Sequence, residues 1–182
     1  MRATEILANE HSLILKALET FTIAKEKLEN GDYPEATFFD KAVLFSKNFS
    51  DQFHHFKEEY LLFGLLAQKK DGALDLAMGA LRYQHERNRL FIKNIEQSIP
   101  GYDPKNEITI TTILENLAPY ISILRRHIHQ EDHLFFKLAD QELTQAEHDS
   151  LTEQFLLEDS NAGARSTYKH HRDLVDEMRA ML

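Results

Sequence analysis

Apolar residues recur every three or four positions along almost the whole chain, the period of an amphipathic helix. From about Thr4 to Glu29, Ile6, Leu7, Ile14, Leu18 and Phe21 make one stripe, and Gly31-Asp32-Tyr33-Pro34 ends it. A longer helix, from about Glu35 to Lys69, carries Phe38, Leu44, Phe45, Phe49, Phe53, Leu62 and Leu65, and Asp71-Gly72 marks the next turn. The third runs from about Ala73 to Ser98 with Leu74, Met78, Leu81 and Ile92 on one side, until Pro100-Gly101-Tyr102-Asp103-Pro104 stops it. The fourth spans about Glu107 to Leu138, with a kink expected near Pro119. Thr144 followed by Glu147 reads as a capping box opening a shorter helix to about Glu158. A last helix is expected from about Arg165 to Met181, after Asn161-Ala162-Gly163. Long helices on short links predict an all-α fold: an antiparallel up-down-up-down four-helix bundle over 1–140, with two additional C-terminal helices (141–182) extending the same single domain.

Composition narrows the chemistry. Six Gly and four Pro in 182 residues leave few breaks, which favours long helices over many short strands. A net charge of −9 argues against nucleic acid and anionic membranes as partners, since both need a basic patch, and suits a protein that binds cations. The absence of Cys excludes disulfides, thiolate-held clusters and thiol catalysis. MRATEILANEH lacks the apolar stretch of a secretory signal, and no apolar run approaches the ~20 residues of a membrane span. A cytoplasmic protein is therefore expected.

Several of the ten His sit inside the predicted helices beside acids. The runs His54-His55-Phe56-Lys57-Glu58-Glu59 and His127-Ile128-His129-Gln130-Glu131-Asp132 superpose on a shift of 73 residues, His54 on His127 and Glu58 on Glu131. Each His-x-x-x-Glu places an imidazole and a carboxylate one turn apart on one helix face, a pair able to ligate one metal or bridge two. Neutral imidazole with carboxylate suits iron, ahead of zinc and manganese. One such pair is weak evidence in a Glu-rich helical chain; convergence from several helices is stronger. In an antiparallel bundle, residues at one height are equally far from the turn between them. The midpoint of His11 and His54 falls in the Gly31–Pro34 turn, and that of His54 and His85 at the Lys69–Gly72 turn. The midpoint of His85 and His127 lies near the end of the Pro100–Glu107 connection. His11, His54, His85 and His127 are thus expected in one layer, with Glu58 and Glu131 a turn away. His55 and Glu59, rotated about 100° from their neighbours in an α-helix, are expected behind the site or at the surface. His129, His133 and His148 are expected to be exposed, Arg89 to be solvated, and Leu7, Ile14, Leu62, Leu81 and Ile123 are candidates to wall a dry pocket.

These residues resemble the hemerythrin-like (HHE cation-binding) family over about residues 1 to 140, through Glu10-His11, His54-His55-x-Lys57-Glu58-Glu59-x-x-Leu62-Phe63, Gln84-His85-Glu86 and His127-Ile128-x-x-Glu131-Asp132-x-x-Phe135. The resemblance implies two non-haem iron ions bridged by carboxylates, held by His11, His54, Glu58, His85, His127 and Glu131. It also implies chemistry on O2, peroxide or nitric oxide. Asp132 rivals Glu131, because the oxygen carriers of that family place an Asp five residues after the corresponding His. The carriers bring two His, four apart, from the third helix; here Leu81 and Arg89 flank His85 at that spacing. That leaves four obvious imidazoles and an open coordination position, unless His170 or His171 folds back to supply a donor. The alternative is a helical interaction or regulatory module with a structural or mononuclear metal. A ferritin-like site would need Glu-x-x-His on two helices, and a zinc hydrolase His-Glu-x-x-His; neither occurs.

Overall fold

Residues 2–69, 72, 74–161 and 168–182 are described by the structure, a computed structural model. Six helices and no strand are found among them. They are α1 (Ala3–Glu29), α2 (36–66), α3 (Asp75–Ser98), α4 (107–142), α5 (Gln145–Asn161) and α6 (Tyr168–Ala180), with a 3-10 turn at Ile99–Gly101. The expected boundaries hold to within a few residues. α4 runs through Pro119 and continues to Glu142, and the start of the last helix expected at Arg165 lies outside the described residues.

The ends are fixed by local chemistry. α1 closes in a Schellman motif: Gly31, at φ +78°, lets its own N–H reach the Leu28 carbonyl (3.2 Å) and the Asp32 N–H reach that of Lys27 (2.9 Å). Asn106 caps α4, its side-chain oxygen accepting from the Thr109 N–H at 3.3 Å. The capping box read at Thr144 forms: the Glu147 N–H donates to Thr144 Oγ1 (3.3 Å) and the Thr144 N–H to the Glu147 carboxylate (2.7 Å).

Hydropathy gave no sign of one feature, the winding of α2 and α4. Between α-helical ends, α2 is π-helical over Ser46–His55 and Lys57–Leu62, and α4 over Glu131–Phe135. A π-turn bonds i to i+5, so each residue advances less around the axis than in an α-helix.

Two apolar cores result. One joins the second half of α1 (Leu18, Phe21) to the start of α2 (Phe38, Phe45), the end of α3 (Ile95), the start of α4 (Ile113) and α6 (Val175, Met178). The other joins the first turns of α1 (Leu7) to the end of α2 (Phe63), the start of α3 (Met78), the end of α4 (Phe136) and α5 (Phe155). Each fully buried side chain of this kind contributes about 1.5–3 kcal/mol by leaving water. Between the cores lies a buried polar layer. No helix among the described residues is long and apolar enough to cross a membrane.

Candidate metal centre

All six residues singled out by the sequence meet in that layer: His11 from α1, His54 and Glu58 from α2, His85 from α3, His127 and Glu131 from α4, each 0–1% exposed. A seventh joins them. His55 is buried too, and the ligand atoms fall into two groups, His55/Glu58/His85/His127 and His11/His54/Glu58/Glu131, each lying within 4.8 Å of one another. Glu58 belongs to both. Its Oε1 is 3.3 Å from His54 Nε2 and 3.8 Å from His11 Nε2, while Oε2 is 3.4 Å from His85 Nε2. Glu131 Oε2 likewise stands between His127 Nε2 (3.0 Å) and His11 Nε2 (3.3 Å).

The outer nitrogens are occupied. His11 Nδ1 is 2.7 Å from Asp132 Oδ1, His54 Nδ1 2.9 Å from Glu10 Oε2, His85 Nδ1 2.6 Å from Glu59 Oε1 and His127 Nδ1 3.0 Å from Gln84 Oε1. Each of these partners is an oxygen that accepts, so on these four rings Nδ1 carries a proton and Nε2 is the nitrogen turned inward. His55 Nδ1 lies 3.4 Å from Asp51 Oδ1 without a hydrogen bond. The inner atoms have no such partners. Nε2 of His11, His54 and His55 and all four oxygens of Glu58 and Glu131 are buried without a hydrogen bond. His85 Nε2 and His127 Nε2 face each other at 2.9 Å, and with the single proton of each neutral ring on Nδ1 neither has one to donate to the other. Orphaned buried acceptors are costly, and acceptors turned on one another repel. Cations between them remove both penalties, so the donor set fits metal ions.

Electrostatics points the same way. Burial, reinforced by the Glu131 charge, raises the Glu58 carboxyl above its ordinary value. Burial also opposes charge on Glu131, but His127 and His11 outweigh it and hold that carboxyl well below the usual range. His54 is pushed up to about 10: burial works against its charge, and Glu58 and Glu10 win. His55 goes the other way, to about 3, through burial, with His54 and His127 adding to it against Asp51. Burial, with His55 and His127, also drives His85 well below its ordinary value. Without a cation, protons on one side must balance the buried acids.

A further belt steadies the partners. Lys57 is wholly buried, its Nζ 2.6 Å from Glu10 Oε1 and 2.5 Å from Asp159 Oδ1, over the Phe53 ring at 3.6 Å. Arg89 donates to Asp51 (2.7 Å), Glu59 (2.7 Å) and Glu86 (2.6 Å), so it is a structural clamp and not the solvated side chain expected. Gln84 donates from Nε2 to Gln130 Oε1 (3.2 Å), which turns its own oxygen toward His127.

The structure corrects other expectations. π-winding keeps His55 on the inner face, where 100° per residue would have turned it away. Five imidazoles therefore face the centre, not four. Asp132 holds the back of His11 while Glu131 faces inward. His171 is buried against Phe49 (ring centroids 5.1 Å apart) in the other core, and His170 is exposed, so neither folds back to the site. His148 is buried, 3.6 Å from Asp140, whereas His129 and His133 are exposed as expected. Leu7, Leu62 and Leu81 pack in the second core and Ile14 in the first, with Ile123 partly buried beside it. The sequence did carry a signal for His55: of two successive His, both can face inward only where the helix is widened.

Comparison with known proteins agrees with this geometry. The hemerythrin HHE cation binding domain matches residues 2–139. Uncharacterized proteins of Mycobacterium bovis and Mycobacterium tuberculosis are 23% identical to it over 153 residues, 84% of this chain and 59% of theirs. The chain thus spans about three fifths of the length of the curated relatives it matches. No solved structure matches it.

Proposed function

The chain belongs to the hemerythrin HHE cation-binding family, and from that premise we propose that its centre holds two iron ions and binds, senses or reacts with O2, peroxide or nitric oxide. The observation that carries this reading is Glu58, which turns one buried oxygen to each of two ligand groups. In this reading His55, His85 and His127 would hold one ion and His11 and His54 the other, with Glu58 and Glu131 available to both. Bound there, a ferrous pair would supply electrons to a small oxidant.

The chain's own residues do the rest. Asp132, Glu10, Glu59 and Gln84 fix the ring orientations through Nδ1, and the carboxylates among them strengthen the imidazoles as donors. The side with two imidazoles has fewer donors and leaves the open position for a small ligand. Phe136, stacked on His11 at 5.6 Å, and Phe63, stacked on His85 at 6.4 Å, belong to the apolar wall that limits water. The C-terminal helices belong to the same domain in this reading, since Phe155, Leu174, Val175 and Met178 are buried in its cores.

Metal analysis of the full chain, with an anaerobic-to-aerobic optical titration, tests the proposal. Two irons per chain and a near-ultraviolet band arising on oxidation are expected. Iron in a single equivalent, or none after anaerobic reconstitution, overturns it, and a single equivalent fits the mononuclear alternative.

A further inference from the structure

Beside the centre, between α2, α3 and α4, lies a half-open cavity of about 380 Å³. It reaches inward to His55 and Tyr120 and outward to Lys47, Lys93 and Glu96. The volume is several times what a diatomic needs and falls within the ~300–1,000 Å³ of organic-ligand sites. Its inner wall presents hydrogen-bonding groups that the protein leaves under-bonded. Ser46, Ser50 and Asn88 are each 1–3% exposed; the two serine hydroxyls have only the Tyr120 hydroxyl to turn to, at poor geometry, and neither atom of the Asn88 amide has a hydrogen-bond partner. A buried amide with both ends unanswered is unusual in a folded chain, where buried polar groups are paired.

Charge and shape define what would satisfy them. The ionised walls cancel: Asp51 is paired with Arg89 at 2.7 Å and Lys47 with Glu96 at 2.9 Å. Lys93 stands at the exposed rim, where water screens it. Nothing inside compensates a full charge on a buried ligand, while hydroxyl and amide groups both donate and accept, as these walls do. Ile92 gives the space an apolar side.

We propose that this cavity is a binding site for a small neutral organic molecule bearing a hydroxyl or amide group, lodged beside the His55 edge of the centre. Its walls need no metal, so the inference goes beyond the preceding reading and is tested apart from it.

Calorimetric titration of the full chain, as isolated and after chelation, with four probes of one size separates the possibilities. Benzyl alcohol and benzamide are expected to bind saturably. Toluene, which leaves the polar wall unpaired, and benzoate, which buries a charge, are expected at least ~10-fold weaker. Asn88→Leu should weaken benzamide binding ~10-fold or more with metal content unchanged. Ser46→Ala, which removes a hydroxyl and adds no bulk, gives the same direction should the larger change fail to fold. No saturable binding by either polar probe, as for a cavity that holds water alone, overturns the inference, as does toluene binding equally well. Metal measured in the unchelated protein after anaerobic reconstitution reports on the iron reading separately: probe binding with no metal retained there counts against that reading alone.

Discussion

The two halves of the centre follow one plan and finish it with different chemistry. On one side Glu10, just before His11 on α1, backs His54 on α2; on the other Gln84, just before His85 on α3, backs His127 on α4. Glu59 and Asp132, each following an inward-facing Glu, hold His85 and His11 across the bundle. The plan diverges at three places. Glu10 is a carboxylate and Gln84 an amide. Glu10 is bonded to the buried ammonium of Lys57, whereas Gln84 is bonded to Gln130, which stands at the matching position of its run. And His55 enters the centre where Ile128 lies in the apolar core. One half thus has two imidazoles, His11 and His54, each backed by a carboxylate; the other has three, of which His85 is backed by the Glu59 carboxylate and His127 by an amide. A carboxylate behind an imidazole makes it the stronger donor, so the amide behind His127 sets that ring apart from His11, His54 and His85.

The comparison is broken most severely at what the halves share. Glu58→Ala should abolish binding of both ions, read as metal per chain; retention of two would show that the shared oxygens are dispensable. Next, His55→Leu should remove one ion and spare the His11/His54 group, leaving about one equivalent by the same measurement. Loss of both, or of neither, would mean the halves are not separate seats. Glu10→Gln, which makes the backing of His54 resemble that of His127, should weaken metal binding at the His11/His54 group ~10–100-fold and shift the optical spectrum; Gln84→Glu should move the spectrum the opposite way.

The smallest effect concerns protons. In the metal-free protein His54 has a folded value of about 10, above the ordinary 6.5, because Glu58 and Glu10 outweigh burial. A raised value stabilises the fold fully below the ordinary one, and that contribution is lost as pH rises through about 10. His55, held at about 3 by burial, is neutral throughout that window. Melting of the metal-free chain should therefore shift to lower temperature from about neutral pH upward, and His54→Leu should flatten the slope whereas His55→Leu should not.

Much of this was legible in the letters. The helices follow from the apolar period and from Gly31, Pro100 and Thr144, because turn and capping chemistry is local. The convergence of His11, His54, His85 and His127 follows from counting to the turns between them. What lay hidden depends on the turn of the helix itself. His55 was placed outside by assuming α-winding, and no hydrophobic pattern announces a π-segment. The burial of His148 and His171 depends on how α5 and α6 dock, which periodicity alone does not specify. Glu10 and Gln84 were visible as neighbours of ligand-like histidines, yet their task appears only when the neighbouring helix is in place.

The ammonium of Lys57 ties these threads to the far end of the chain. It is gripped from one side by Glu10 and from the other by Asp159 on α5, which lies past the last residue shared with the family domain. Cutting the protein back to the common domain would therefore strand a positive charge in oil, half answered, one bond away from the acid that steers His54. The segment that looks most expendable by resemblance helps to hold the acid that orients His54.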